Sequence, residues 1–155
     1  MEEDFQRQIF DVDPWTYGRM TTSTLVGTRP AGGIAGSWAV FKHLGIDGYT
    51  QVAADLMEMV DGYVAGIEAI SGLRMHVKPD LTIINFGSDE INIFSVAEKM
   101  AESGWVPGLT QRPEGMHAML SMLHAPARET YLRDLARAVS TVRSDGGAST
   151  FTARY

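Results

Sequence analysis

Residues 27–33 combine groups that together suit a bound anion. The segment Gly27-Thr28-Arg29-Pro30-Ala31-Gly32-Gly33 stands where an extended stretch leads into a predicted helix. The start of a helix offers free backbone N–H groups and a positive dipole end, to which Thr28 adds a hydroxyl and Arg29 a guanidinium. The segment therefore predicts an anion site at Gly27, Thr28 and Arg29. A purely structural role, with glycines for close helix packing and Arg29 in an ion pair, fits the same residues.

Motifs of better-defined sites are absent from the sequence. Ile34 stands where a phosphate-binding P-loop would continue with Lys and Ser, and the glycines lack dinucleotide-binding spacing. No serine lies in a Gly-x-Ser-x-Gly elbow, so a hydrolase triad has no support. Acidic pairs such as Asp89 with Glu90 fit helix caps and solvated faces better than catalytic carboxylates.

The histidines do not have the spacing of metal ligands. They are scattered along the chain, as His43, His76, His117 and His124, and no His-Glu-x-x-His motif occurs. We therefore expect no metal site. His117 is expected in an apolar strand and His124 at its end, each as a hydrogen-bonded structural side chain.

Composition excludes several kinds of partner. The formal net charge of -6 argues against nucleic acids and anionic membranes, which bind clustered Lys and Arg. No apolar run approaches the roughly 20 residues that cross a bilayer, and the acidic start Met1-Glu2-Glu3-Asp4 is unlike a signal peptide. A cytoplasmic location is the resulting expectation. Without cysteine, the chain forms no disulfide.

The first half of the chain predicts an arm and two helices. Residues 1–30 show no helical period and include Pro14 and Gly18, which indicates an extended arm. Apolar residues on most sides of 31–44 predict a buried helix. Asp47 then begins a second helix with the clearest amphipathic stripe, which Gly72 ends.

The second half alternates strands with helices. Strands are predicted at 73–77 and 81–86, and a helix that begins at Ser88 or Asp89 and stops at Gly104. Two more strands follow, at 105–110 and 116–123. Pro126 opens a last helix, whose inward face carries Tyr131, Leu132, Leu135, Val139 and Val142.

This order predicts an α+β fold: a short, mostly antiparallel sheet with helices on one face, preceded by the arm. The predicted organisation is an extended arm over residues 1–30, a small domain over residues 31–143 and a flexible tail over residues 144–155.

Three stretches of the chain resemble one enzyme family. They are Gly27 to Gly32 with Ala35-Gly36-Ser37-Trp38-Ala39; His43-Leu44-Gly45 with Gly48-Tyr49; and Gly104-Trp105 with Leu109 to Pro113, Met116-His117 and Leu123-His124. Their order and spacing are similar to the carboxy-terminal part of the sphingosine-1-phosphate lyases, in the group II pyridoxal-phosphate decarboxylase family. The resemblance spans about residues 13–143. It implies the small carboxy-terminal domain of a type I aminotransferase fold.

The resemblance also implies a cofactor and a role for the anion site. In this family, pyridoxal phosphate is anchored by a lysine upstream of the matching segment, in a large domain. Gly27 and Thr28 match a loop that reaches across a dimer to the partner's cofactor phosphate, and Arg29 would steady that loop. None of Lys42, Lys78 and Lys99 is expected to replace the anchoring lysine, so no catalytic residue is predicted. Met20, at a family tyrosine position, puts an active-site role of the arm in doubt.

The implied activity is the cleavage of sphingoid base 1-phosphates into a fatty aldehyde and phosphoethanolamine. The chain alone is expected to be inactive, with a homo-oligomer or a separate large-domain polypeptide as partner. Two alternatives stay open: a fragment of an amino-acid decarboxylase, and a non-enzymatic protein-interaction domain.

Overall fold

The computed structural model of the chain describes residues 11–12, 16–18, 20–21 and 27–145. They divide into two compact units, residues 1–45 and residues 46–155, which we describe one at a time. The predicted boundaries at 30 and 143 stay predictions. Most of the predicted arm, and residues 146–155 of the predicted tail, lie outside the described residues.

The first unit contains a small antiparallel ladder and the start of a long helical segment. Strand β1 (Asp11–Val12) pairs with β2 (Met20–Thr21), with Val12 opposite Met20. Residues 27–30 are irregular, and helical segment α1 (Gly32–Glu68) follows them. The sequence did not predict the ladder.

A glycine interrupts α1 at the point where two helices were predicted to meet. Gly45 has φ 60° and ψ -171°, which is not helical. Backbone angles of this kind are essentially restricted to glycine. The predicted division into two helices is therefore confirmed.

The predicted burial of the first helix is wrong. Ile34, Trp38 and Phe41 are 74%, 64% and 61% exposed. An apolar helix surface favours burial, but the sequence does not show whether residues of the same chain or of another protein bury it.

The second unit contains a four-stranded antiparallel sheet. Its strands are β3 (Arg74–Met75), β4 (Ile83–Gly87), β5 (Gly108–Gln111) and β6 (Glu114–Met119), in the order β3-β4-β6-β5. The four predicted strands are confirmed in place, although each is shorter or shifted. The last one ends at Met119 rather than at 123, because the chain turns into a 3-10 helix (Met122–Ala127) that contains Pro126.

Two further helices pack on the sheet. Helix α2 (Ile93–Glu102) begins after Asn92, whose Oδ1 accepts hydrogen bonds from Phe94 N at 2.9 Å and Ser95 N at 3.1 Å. The predicted cap at Ser88 or Asp89 is wrong, because Ser88 Oγ instead accepts from two amides of a turn before the helix. The predicted stop is confirmed: Gly104 has φ +89° and lies just past the helix. Helix α3 (Arg128–Asp145) completes the unit.

Helices cover one face of the sheet, and the opposite face is partly exposed. Phe86 pairs with Met116 across β4 and β6, and both side chains are buried with Ile84. They share a core with Val60 of α1, Val96 of α2 and Leu135 of α3. On the opposite face, Asn85 pairs with His117, and the pair Ile83 and Met119 beyond it is exposed. Because side chains alternate along a strand, this arrangement confirms the predicted α+β fold with helices on one face.

The imidazole of His76 packs on two glycines of the inner strands β4 and β6. A Cβ added to Gly87 would lie 2.6 Å from His76 Nε2, and one added to Gly115 would lie 2.8 Å from it. The same Nε2 donates to the carbonyl of Glu114 at 3.0 Å. The ring therefore occupies the space that side chains on β4 and β6 would otherwise fill.

Two glycine substitutions in α1 should have opposite effects. Gly45→Ala should lower the free energy of unfolding by roughly 1–3 kcal/mol, because alanine disfavours the Gly45 backbone angles. Gly36→Ala should raise it by roughly 0.5–1 kcal/mol, since Gly36 is inside the helix and a Cβ there meets nothing within 4 Å. Urea unfolding followed by far-ultraviolet circular dichroism measures both. A change of the same sign in both variants would contradict the assigned backbone conformation of Gly45.

Candidate functional site

The predicted phosphate-binding residues lie immediately before α1. Gly27, Thr28 and Arg29 are all exposed. The first turn of α1 contains no acidic side chain, so no carboxylate there opposes an anion. Amides in the first turn of a helix have no acceptor within the helix. The segment is therefore accessible and has the donors that the sequence predicted, and its role as a phosphate site stays a prediction.

The three lysines lie where the sequence placed them, on helices or in a connection. Lys42 is exposed on α1, and Lys78 is exposed between β3 and β4. Lys99 on α2 donates to both carboxylate oxygens of Glu102, at 2.8 and 3.0 Å. This hydrogen bond raises the pKa of the Lys99 ammonium. An amine must lose its proton before it attacks an aldehyde, so Lys99 is poorly suited to anchor a cofactor.

The second unit also contains a cavity of about 240 Å³, which is open to solvent beside the exposed Val106. Its lining is aromatic, aliphatic and thioether, with two imidazoles: Tyr63, Ile84, Met100, Trp105, Val106, Pro107, Met116, His117, Ala118, Leu120, His124 and Tyr131. The ring of Tyr131 lies between two others, 5.7 Å from Tyr63 and 5.1 Å from Trp105 between centroids. The Trp105 contact is edge-to-face at 90°, a favoured geometry for aromatic pairs.

Partly buried hydrogen bonds hold two of these rings, Trp105 and Tyr63, in place. Trp105 Nε1 donates to Asp134 Oδ2 at 3.1 Å. The other oxygen of Asp134, which is only 8% exposed, accepts from Arg137 Nη2 at 2.8 Å. On the opposite side of Tyr131, the Tyr63 hydroxyl donates to the His124 carbonyl at 2.9 Å. Ring positions in the wall are thus fixed by polar contacts as well as by packing.

Both tyrosine hydroxyls of the cavity stay protonated well above neutral pH. Burial raises the pKa of Tyr131, and the neighbouring Tyr63 raises it further. Burial also raises the pKa of Tyr63, against a smaller opposite effect of Arg128. Each hydroxyl is therefore a hydrogen-bond donor rather than an anion.

The two histidines of the cavity differ in their hydrogen bonding. His124 Nδ1 accepts from the backbone amide of Ser121 at 2.9 Å, which confirms the predicted structural role, although His124 lies in the 3-10 helix rather than at a strand end. His117 Nδ1 is buried without a hydrogen-bond partner. The prediction of a satisfied His117 is therefore wrong.

The sequence did not reveal the cavity. Tyr63, Met100 and Tyr131 fall on the inward stripes of amphipathic helices, where an apolar residue looks the same whether its neighbours fill the space or leave it open. The only available signal was the joint occurrence of three aromatic residues, Tyr63, Trp105 and Tyr131, with His117, and their wide separation in the sequence conceals it.

Two further properties concern the described part of the chain alone. Within residues 11–12, 16–18, 20–21 and 27–145, no three His, Cys, Asp or Glu side chains are grouped as metal ligands. None of the described helices is both long and apolar enough to cross a membrane.

Known proteins similar to this chain include a sphingosine-1-phosphate lyase of rice, which is 38% identical over 142 residues. The match covers 92% of this chain and 26% of the rice protein. A solved structure of a sphingosine-1-phosphate lyase from Burkholderia pseudomallei superposes with a TM-score of 0.77 at 30% identity, over 92% of this chain and 33% of that one. By sequence and fold, the chain corresponds to the carboxy-terminal segment of sphingosine-1-phosphate lyases.

The segment spans about a quarter of the length of the curated lyases it matches. It is also similar to an L-aspartate decarboxylase of Thermococcus kodakarensis, 31% identical over 120 residues, which are 76% of this chain and 30% of that protein. No protein-family model matches it.

Removal of the buried carboxylate should loosen the cavity wall. Asp134→Ala leaves the Trp105 N–H without its acceptor, and we expect a loss of about 1–3 kcal/mol in the free energy of unfolding. Asp145→Ala, at an exposed carboxylate on the same helix, should change it by less than about 0.5 kcal/mol. Urea unfolding compares the two, and equal losses would contradict the role of Asp134.

Alkaline pH should destabilise the fold through Tyr131. Its folded pKa is raised above the ordinary value of 10.0, so above that pH the unfolded chain loses a proton that the folded chain keeps. The stabilisation is fully present below pH 10 and declines as the pH rises, by up to about 1.4 kcal/mol per pH unit. Tyr131→Phe should flatten the dependence measured by urea unfolding between pH 8 and 11. An unchanged slope would count against a buried Tyr131 hydroxyl.

Proposed function

We propose that this chain is the small-domain part of a pyridoxal-phosphate-dependent lyase that cleaves sphingoid base 1-phosphates into a fatty aldehyde and phosphoethanolamine. The observation that carries the proposal is the combination of 38% identity to the rice lyase and a TM-score of 0.77 to the Burkholderia enzyme. The remainder of the catalytic site belongs to a large domain, on the same or on a second polypeptide.

The anion segment fits one part of the cofactor. Gly27 and Thr28 are exposed before a helix whose first turn carries no acid, and a phosphate accepts hydrogen bonds from such amides and hydroxyls. In a dimer, these two residues bind the phosphate of the partner's cofactor, and Arg29 steadies the loop. When bound, pyridoxal phosphate supplies the electron sink for carbon–carbon cleavage.

The cofactor's anchoring amine has no equivalent among the three lysines. Lys42 and Lys78 are exposed, and Lys99 is paired with Glu102. Without an anchored cofactor, residues 1–155 do not catalyse the cleavage by themselves. The chain's contribution to catalysis is to hold the phosphate and so to fix the position of the cofactor.

Two alternatives have some support. The identity of 31% to the Thermococcus L-aspartate decarboxylase favours a decarboxylase segment with the same cofactor and a smaller substrate. The exposed apolar side chains of Ile34, Trp38 and Ile46 favour a non-enzymatic domain that binds another protein.

Cofactor trapping tests the main proposal. The chain is incubated with pyridoxal phosphate, alone and with a polypeptide carrying the large domain of a sphingosine-1-phosphate lyase, and then reduced with borohydride. We expect a phosphopyridoxyl-lysine on the large domain only. Thr28→Val should weaken cofactor binding by the complex about 10-fold, whereas Thr50→Val, at an exposed threonine on α1, should not.

The outcomes separate the alternatives. Fatty aldehyde released by the complex from a sphingoid base 1-phosphate supports the lyase, and carbon dioxide released from L-aspartate supports the decarboxylase. An adduct on Lys42, Lys78 or Lys99 in the chain alone would overturn the proposal of an incomplete site. Binding to the large domain with no effect of Thr28→Val would instead favour a role in protein interaction.

A further inference from the structure

We propose that the cavity beneath Trp105 binds a small, flat, neutral molecule that is mainly apolar and carries one hydrogen-bond acceptor. The cavity lies within the second unit and does not involve Gly27, Thr28 or Arg29. The proposal is therefore independent of the lyase function, and one can fail without the other.

The size and lining of the cavity define the class of ligand. About 240 Å³ exceeds the ~150 Å³ that suffices for benzene in an apolar protein cavity, so a substituted single ring fits. The lining contains no Lys, Arg, Asp or Glu, and a charged ligand would lose its hydration without a countercharge. The rings of Tyr63, Trp105 and Tyr131 favour a flat, aromatic molecule.

The hydroxyl of Tyr131 defines the polar group of the ligand. Tyr63 donates its hydroxyl hydrogen to the His124 carbonyl, whereas the Tyr131 hydroxyl takes part in none of the hydrogen bonds found among the described residues. The Tyr131 hydroxyl is not one of the side-chain atoms that are shielded from solvent without a partner, so water can hydrogen-bond to it until a ligand takes its place. Since Tyr131 lines the cavity, a ligand there that offers an acceptor satisfies this donor.

The position of Trp105 supports a preformed site rather than a gap in packing. Asp134 and Arg137 fix its indole from outside the cavity, so the ring does not depend on a ligand for its orientation. A wall that is rigid before binding costs little entropy on binding. The lining also contains Nδ1 of His117, which is buried without a hydrogen-bond partner.

A matched pair of probes tests the proposal on the full chain. Acetophenone carries the acceptor, and α-methylstyrene has the same shape with a methylene in place of the carbonyl oxygen. Each is titrated into ¹⁵N-labelled chain while the indole N–H resonances of Trp105 and of Trp38, which is 64% exposed, are followed. We expect saturable shifts at Trp105 alone, with a dissociation constant on the order of 1 mM.

Three variants separate the contributions. Tyr131→Phe keeps the ring and should weaken acetophenone about 3- to 10-fold while leaving α-methylstyrene within about 2-fold. Tyr17→Phe, the same change at a side chain that is 94% exposed, should affect neither probe. Ala118→Leu adds volume in the lining and should weaken both by about 10-fold or more.

Several results would overturn the proposal. One is the absence of saturation at Trp105 up to about 10 mM of either probe, as expected for a cavity that holds only water. Another is a shift at Trp38 without one at Trp105, which indicates surface association. If Tyr131→Phe weakened the binding of both probes equally, the ligand's acceptor would not bind the Tyr131 hydroxyl. If a folded Ala118→Leu variant bound both probes with unchanged affinity, the probes would bind outside the cavity. If the Ala118→Leu variant does not fold, the Tyr131→Phe comparison still decides.

Discussion

The apolar face of the four-stranded sheet must be covered, and the architecture of the second unit follows from this constraint. Ile84, Phe86 and Met116 place their side chains on one face, and the later part of α1 packs there with α2 and α3. At roughly 25 cal/mol per Å² of apolar surface, this burial is the main favourable contribution to folding. On the opposite face, Ile83 and Met119 are exposed.

The three helices that cover the sheet do not fill all the space between them, and the cavity lies there. Gly104, with its positive φ, ends α2 and directs the chain to Trp105. The indole then packs edge-on against Tyr131 of α3 rather than inserting into the core. Tyr63 of α1 closes the other side, so the cavity lies where elements from all parts of the unit converge.

Periodicity in the sequence predicted the fold well and its details less well. The predicted inward residues of α3 include Leu135 and Val139, which are buried, because an amphipathic helix can bury only one stripe. The cap of α2 was misplaced, since Ser88 and Asn92 both suit a cap and only the tertiary path decides between them. The burial of the first helix was wrongly predicted because a hydrophobic side chain favours burial but does not show which residues would bury it.

The candidate phosphate site and the cavity differ in how visible they are in a sequence. Gly27, Thr28 and Arg29 are consecutive, so a family motif can identify them. The cavity depends on side chains up to 68 positions apart, from Tyr63 to Tyr131, and on the absence of an atom that could fill the space between them. A sequence records which residues are present but not the volume that they leave.

The packing of His76 over Gly87 and Gly115 restricts how this segment can be recombined with related ones. A chimera that imports a side chain at either glycine would meet the imidazole at 2.6–2.8 Å. One that replaces His76 alone would leave two side-chain-free positions uncovered and the Glu114 carbonyl without its donor. Crossover points between homologous domains should therefore lie before residue 76 or after residue 115, so that the three positions are inherited as one block.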